Sequence, residues 1–147
     1  MKKNNKMKKK IILLILFFFL YNCGSTKMTG TWKLSNVIES DNIYANRSSL
    51  TSKKIDSEMT ISIKPDSTFT SNGDLCLGDG QKIKENYSQG KFYMPKYMKL
   101  DKTFKLEMMQ CPGIGGQHRL KITNGKLELY YPTVTGYHIQ IFEKTNE

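Results

Sequence analysis

Alternating apolar and polar residues predict short β-strands through most of the chain that follows residue 28. Met-Thr-Ile-Ser-Ile at residues 59–63 and Phe-Lys-Leu-Glu-Met at residues 104–108 both repeat every second position, as a half-buried strand does. No segment of this part keeps a helical period for more than about ten residues. The pattern therefore predicts an all-β domain.

Two turns fix the register of their hairpins. The first turn contains Pro65-Asp66-Ser67. A two-residue loop there would set Ile63 opposite the polar Thr68, whereas a three-residue loop sets it opposite Phe69. Burial of both apolar side chains on one face favours the three-residue loop. Asn124-Gly125 is the preferred pair for a two-residue type I′ turn, because both central positions need positive φ. The second turn opposes Ile122 to Leu127, Leu120 to Leu129, Lys121 to Glu128 and His118 to Tyr131.

Further strands are predicted at residues 29–38, 81–87, 91–94 and 136–143, for a total of about eight or nine. Short strands at this spacing form either a barrel or a sandwich. The chain after residue 22 is long enough for one domain that buries roughly two thirds of its unfolded surface.

The first 22 residues have the pattern of a secretory signal. Residues 2–10 hold six lysines and no acid, and residues 11–20 are unbroken apolar. Ten residues at about 1.5 Å each reach only half of a hydrocarbon core that is about 30 Å thick, which disfavours a permanent membrane-spanning helix. We therefore predict that residues 1–22 form a signal peptide that is removed.

Leu-Tyr-Asn-Cys-Gly-Ser at residues 20–25 resembles the lipobox of bacterial lipoproteins. The resemblance implies that Cys23 becomes the acylated first residue of the mature chain, that fatty acyl chains such as palmitate anchor it in the membrane, and that residues 23–28 are a tether. The alternative is an ordinary signal with an incidental cysteine. Because residues 24–30 hold no acid of the kind that can mark surface export, the expected location is the periplasmic face of the outer membrane.

Charge gives little support for a nucleic-acid partner. Loss of residues 1–22 removes six of the 23 basic residues and none of the 13 acidic ones, so the formal charge falls from +10 to +4. The remaining lysines are spread through strand-like segments and do not cluster with aromatics on one face. We expect no nucleic-acid partner; the lysines form a solvated face or, as the alternative, lie against anionic lipid headgroups.

Gly-Thr-Trp-Lys-Leu at residues 30–34 resembles the first-strand signature of lipocalins, and more closely that of short lipocalin-like domains in bacterial lipoproteins. This resemblance implies that residues 29–147 form a small antiparallel β-barrel of about eight strands, with the polar residues 40–57 as a loop over its mouth. It leaves the arginine that packs on the tryptophan in lipocalins unidentified, because Arg119, the only arginine late in the chain, has outward parity.

The lipocalin resemblance also implies an internal pocket for a small hydrophobic or amphipathic ligand. Seven side chains are assigned to this pocket: Trp32, Phe69, Phe92, Phe104, Met108, His118 and Tyr131. In this interpretation His118 and Tyr131 form the polar part of an otherwise apolar site. The alternatives are that Trp32 is plain core and that His118 is a wall residue hydrogen-bonded to Tyr131.

A second resemblance, to META-type domains of bacterial envelope proteins, involves residues 29–32, Cys76, residues 88–92 and residues 108–111. It implies a small β-rich or α/β module without a catalytic centre. The corresponding alternative function is a non-enzymatic interaction or inhibitor module whose barrel is filled and whose loops contact a protein partner that the sequence does not identify.

The remaining cysteines and histidines favour a disulfide over metal or catalytic chemistry. With Cys23 acylated, Cys76 and Cys111 are an even pair in an exported, oxidising compartment, and we predict a bond between them. Two isolated cysteines with two histidines 20 residues apart are too few ligands for a structural metal. His118 and His138 accompany no nucleophile motif, nucleotide-binding loop or closely spaced carboxylate pair, so we expect no enzyme activity and no cofactor.

Overall fold

The structure is a computed structural model, and it describes residues 28–108, 110–111 and 118–145. The predicted signal peptide and Cys23 lie outside these residues. Within them the chain forms nine strands and two short 3-10 helices, Arg47–Ser49 and Lys96–Met98, and no helix is long and apolar enough to cross a bilayer. The strands are β1 (Gly30–Ser40), β2 (Lys53–Lys54), β3 (Thr60–Ile63), β4 (Thr68–Ser71), β5 (Ser88–Tyr93), β6 (Thr103–Met108), β7 (Arg119–Thr123), β8 (Lys126–Tyr130) and β9 (Tyr137–Lys144).

Pairing of β1 with β9 closes the sheet into a barrel. Strands β1 and β3 to β9 follow one another in chain order, every neighbouring pair is antiparallel, and β2 adds one short strand beside β1. The prediction of an all-β barrel of about eight strands is therefore confirmed.

The strand predicted at residues 81–87 is wrong. Only an isolated bridge between Gly73 and Lys82 forms there, and β5 begins at Ser88. The amides of Ile83 and Lys84 both donate to the carbonyl of Asn72, so this segment belongs to the connection between β4 and β5.

Both predicted hairpin registers are confirmed. Ile63 lies opposite Phe69, and three of the four pairs predicted from the Asn124-Gly125 turn are present as strand pairs. The fourth, His118 with Tyr131, lies just beyond the ends of β7 and β8, where the two rings meet with 5.0 Å between their centroids. The φ angles of Asn124 and Gly125 are 51° and 76°, the left-handed values that a type I′ turn requires.

A bulge in β1 divides its side chains between two clusters. The register with β9 shifts by one residue between Leu34 and Asn36, so Ser35 is an extra residue. Leu34 consequently faces the main core inside the barrel, whereas Ile38 faces outward. The outer cluster consists of Ile38, Ile139, Ile141, Leu50, Tyr130 and Tyr137.

The segment predicted to lie over the mouth covers part of the outer face as well. Leu50 packs on the outer cluster, and Arg47 forms an ion pair with Glu128, which is 5 % exposed. The carboxylate of Glu128 also accepts hydrogen bonds from Thr123 and Tyr130. Glu128 does lie opposite Lys121, as predicted. The cation that pairs with the Glu128 carboxylate is nevertheless Arg47, from the segment over the mouth.

Trp32 anchors one end of the barrel. Its ring is 2 % exposed, and its Nε1 donates to the carbonyl of Met28 over 2.8 Å. The ammonium of Lys144, in the last strand, lies 5.5 Å from the ring centroid. A Cβ at Gly30 would stand 2.8 Å from the Lys144 side chain and would push it aside, and the φ of 129° at this position favours glycine in any case. The cation that contacts the Trp32 ring in this structure is therefore Lys144.

Residues 73–80, here called the cap, cross the opposite end. Leu75 is fully buried, and the Ser88 hydroxyl accepts from its amide and donates to the carbonyl of Gly73. A disulfide joins Cys76 in the cap to Cys111, with 5.5 Å between their Cα atoms, so the predicted pairing is present.

The disulfide should contribute strongly to stability. It closes a loop with a sequence separation of 35 residues, for which the chain-entropy relation gives about 4 kcal/mol. We expect a reductant to lower the free energy of unfolding by about this amount in urea titrations of the Cys23→Ser chain. The Cys76→Ser/Cys111→Ser variant of that chain should be insensitive to reductant; an equal response in both would contradict the prediction.

Candidate functional site

The seven side chains predicted to line a pocket come together inside the barrel. Six belong to the main core or pack against it, and the seventh, His118, contacts Tyr131. Trp32, Phe69 and His118 are only 2 %, 1 % and 0 % exposed. A ligand-sized void would leave free surface on the side chains around it, and these three have almost none, so the chain itself fills this part of the interior.

The Phe69 ring illustrates how close this packing is. It lies against Gly90 in β5, where an added Cβ would be 3.0 Å from the ring and 2.0 Å from the carbonyl oxygen of Glu107. Two residues further along β5, Phe92 meets Phe104 of β6 edge to face with 5.6 Å between ring centroids. Aromatic rings thus occupy the space that a carried ligand would need.

His118 is a buried imidazole that has no hydrogen-bond partner among the described residues. Both of its ring nitrogens are buried and unpaired in the described part of the chain. Its ring meets Tyr131 edge to face at 5.0 Å, but the Tyr131 hydroxyl donates to Gln140, so the hydrogen bond expected between His118 and Tyr131 is not formed. Burial lowers the pKa of His118, which keeps the ring neutral.

A polar cluster joins the cap to the barrel wall. The carbonyl of Gly78 accepts from Gln140 Nε2 over 3.0 Å and lies 3.1 Å from Nε2 of His138. Tyr131 packs directly beneath, where a Cβ at Gly78 would be 2.6 Å from its ring. Burial and the nearby carboxylates raise the pKa of Tyr131 well above its usual range, so its hydroxyl stays a donor. These contacts hold the cap in place.

The outer surface carries an open groove of about 400 Å³, here called the outer groove. It runs over the outward faces of β6 to β9, between the 3-10 helix that contains Met98 and the connection from β8 to β9. Its polar lining consists of Lys105, Arg119, Tyr130, Tyr131, Thr133, Tyr137 and His138, with no carboxylate among the residues that line it.

Two cations lie side by side in the outer groove. Lys105 and Arg119 are direct register partners on β6 and β7, and neither forms an ion pair with a described carboxylate. Opposed like charges destabilise a sheet. Tyr97 partly offsets this repulsion, because its ring lies 5.7 Å from the Lys105 ammonium and its hydroxyl raises the pKa of Lys105. An anion in the groove would offset it further.

Tyr130 forms the inner wall of this groove. Its hydroxyl donates to Glu128 over 2.6 Å. Burial and this carboxylate raise the pKa of Tyr130 to about 12, so the ring carries no negative charge that would compete with an anionic ligand. Neither Lys105 nor Tyr130 was predicted from the sequence as a site residue. The signal that could have identified Lys105 is its opposition to Arg119, which only the register of β6 with β7 determines.

A second groove of about 450 Å³ lies at the mouth, between residues 51–57 and the cap. Its lining mixes Lys53 with Glu39, Asp56 and Asp79. In the described part of the chain, no three His, Cys, Asp or Glu side chains are grouped so that they could hold a metal ion. Asp79 instead accepts a hydrogen bond from the amide of Gln81, as a turn residue does.

Comparison with known protein families, curated proteins and solved structures found no match for this chain. The resemblances to bacterial lipoproteins, lipocalins and META-type domains therefore stay predictions. The features of the described chain that bear on function are the outer groove, the filled interior and the His118 imidazole, which has no hydrogen-bond partner there.

The buried imidazole predicts a loss of stability in mild acid. In the unfolded chain His118 binds a proton below its ordinary pKa of 6.5, whereas the folded protein resists protonation. Its contribution is therefore present above that pKa and is lost as the pH falls through it. Between about pH 7.5 and about pH 5.5, we expect urea unfolding to show a smaller loss of stability in His118→Phe than in the wild type.

The other histidine serves as the control. His138→Asn should retain the loss that His118 causes, because it leaves the buried ring unchanged. Equal losses in His118→Phe and the wild type would contradict the assignment.

Proposed function

We propose that this chain is a lipid-anchored, non-enzymatic binding protein of the bacterial envelope. The signal peptide at residues 1–22 directs export, acylated Cys23 anchors the mature chain at the membrane, and the barrel presents the outer groove to an anionic ligand. The lipobox resemblance supports the anchor. The paired cations of the outer groove are the single observation that supports the binding site.

The outer groove suits a small anionic molecule with a flat or apolar part. Lys105 and Arg119 together supply charge and several donors, and an Arg guanidinium can bind a carboxylate or phosphate with two parallel hydrogen bonds. Tyr130 and Tyr137 add ring surfaces beside them. Such a site places the ligand on the outside of a filled barrel. This supports the alternative of an interaction module more than that of a protein that carries its ligand inside the barrel.

The histidines support a role other than catalysis. Nε2 of His138 lies 3.1 Å from the Gly78 carbonyl and its Nδ1 lies 3.4 Å from the Glu39 carboxylate, so both ring nitrogens have partners. His118 is enclosed. His138 lines the outer groove, but both of its ring nitrogens are engaged by other groups, and His118 does not reach the groove, so neither ring is free to act as a general acid or base there.

A second candidate is the internal ligand site of the original lipocalin-like interpretation. The unpaired nitrogens of His118 favour it, because a buried polar group without a partner is costly and a small ligand that accepts or donates a hydrogen bond would satisfy it. Such a ligand would have to displace core side chains that now fill the barrel.

The anchor is tested by membrane fractionation. After a high-salt wash that screens electrostatic contacts, we expect the wild-type chain in the membrane fraction of a bacterial host and Cys23→Ser in the soluble envelope fraction, because removing the acylated thiol removes the acyl chains. Cys76→Ser, which changes a cysteine of the barrel, is the control and should stay in the membrane fraction. Membrane association of Cys23→Ser that survives the salt wash would contradict the proposal.

The binding site is tested with phenyl phosphate, an aromatic anion, by native mass spectrometry of residues 24–147. We expect an adduct whose affinity falls by about tenfold or more in Lys105→Gln/Arg119→Gln, since charge-assisted hydrogen bonds are lost. Lys121→Gln, the next outward position of β7, should bind normally. An adduct lost only in His118→Phe would favour the internal site, and no adduct at all would contradict both.

A further inference from the structure

We infer that the barrel end at which β1 begins binds the surface of an anionic lipid bilayer through the loop between β5 and β6, residues 94–102. The proposed lipid anchor is what holds this end of the barrel near a bilayer. The contact itself rests on the exposure and charge of the loop.

The topology places this loop and the start of β1 at the same end. In β1, Gly30 pairs with Ile63 beside the turn from β3 to β4. The carbonyl of Ser67 in that turn accepts from the amide of Phe92, one residue before β5 ends. Because all connections of this barrel join antiparallel neighbours, the next loop at this end is residues 94–102. We call this end the tether end.

The chain before β1 is too short to let the tether end move far from a bilayer. Met28 is buried, and its carbonyl is held by Trp32, so the barrel fixes the chain from this residue onward. From Cys23 to Met28 an extended chain spans at most about 18 Å. With Cys23 acylated, the loop at residues 94–102 would therefore face the lipid headgroups.

The loop has the composition of a membrane-interface segment. Its sequence is Met-Pro-Lys-Tyr-Met-Lys-Leu-Asp-Lys, with three lysines and one acid. Leu100 is 96 % exposed and Tyr97 is 70 % exposed, although burial would favour both side chains. Apolar and aromatic side chains that enter the interface, beside lysines that attract anionic headgroups, are the two components of peripheral membrane binding.

The opposite end also exposes apolar side chains but lacks the matching charge. Tyr44, Leu77 and Val134 are 90 %, 75 % and 97 % exposed in its connections. The sequence near Tyr44 contains Asp41 and Arg47, Leu77 lies between two aspartates, and residues 131–136 carry no charge. Ile83, which is 47 % exposed, lies at that end between Lys82 and Lys84, but residues 72–87 as a whole hold these two lysines against Asp74, Asp79 and Glu85. The loop at the tether end holds three lysines and one acid, and this basic excess favours an anionic surface as its partner.

The test uses the chain of residues 24–147, which lacks the acylated cysteine but contains every strand of the closed barrel. We expect it to float with vesicles of phosphatidylglycerol and phosphatidylcholine in equal parts, and not with phosphatidylcholine alone. In Lys96→Gln/Lys99→Gln/Lys102→Gln the affinity should fall by about a hundredfold, on the basis of about fivefold for each lysine. Lys82→Gln/Lys84→Gln, at the opposite end, should bind as the wild type does.

A matched pair of labels reports which end touches the lipid. Leu100 and Val134 are equally exposed, at 96 % and 97 %, and lie at opposite ends. An environment-sensitive fluorophore on Leu100→Cys should shift to the blue with the anionic vesicles, and the same fluorophore on Val134→Cys should not. Lack of flotation, or equal shifts at both positions, would overturn the inference. Because this chain has no Cys23, failure of the lipid anchor would not alter these results.

Discussion

The pairing of β1 with β9 is the constraint on which the rest of the structure depends. Eight antiparallel strands have two unpaired edges until their first and last members meet, and closure removes both. The same pairing brings Lys144 over Trp32 and aligns Gln140 and His138 below the cap. Both ends of the barrel are therefore organised by one contact between distant parts of the sequence.

Local chemistry made part of this fold predictable. Asn124-Gly125 determines its own turn and thereby the opposition of Leu120 to Leu129. The need to keep Ile63 and Phe69 on the same buried face selects the three-residue loop of the other hairpin. Such features depend on a few neighbouring residues, so a single sequence contains the information. The disulfide was predictable for a different reason, since only two cysteines remain once Cys23 is assigned to the lipid.

Other features depend on pairings that a single sequence does not reveal. The bulge at Ser35 is defined only against β9, and Lys144 could be assigned to Trp32 only after closure. The candidate site was anticipated inside the barrel because inward parity was visible, whereas the outer groove needs the register of β6 with β7 and the position of Met98. Parity separates inside from outside, but it does not tell whether the inside is full.

The bulge has a consequence for how β1 tolerates change. Ser35 is the residue that lets one strand serve two clusters, with Leu34 inside the barrel and Ile38 under Leu50 on the outside. A substitution at Ser35 alters one side chain, and the hydroxyl bond to the Ile141 carbonyl is the only side-chain hydrogen bond assigned to it in the described chain. Deleting Ser35 would instead move the side chain of every later residue of β1 to the opposite face of the sheet. Ile38 would then face the barrel interior, and Glu39 would face the apolar outer cluster. For this strand the number of residues matters more than their identity, so length variation should be far rarer than substitution at this point of the chain.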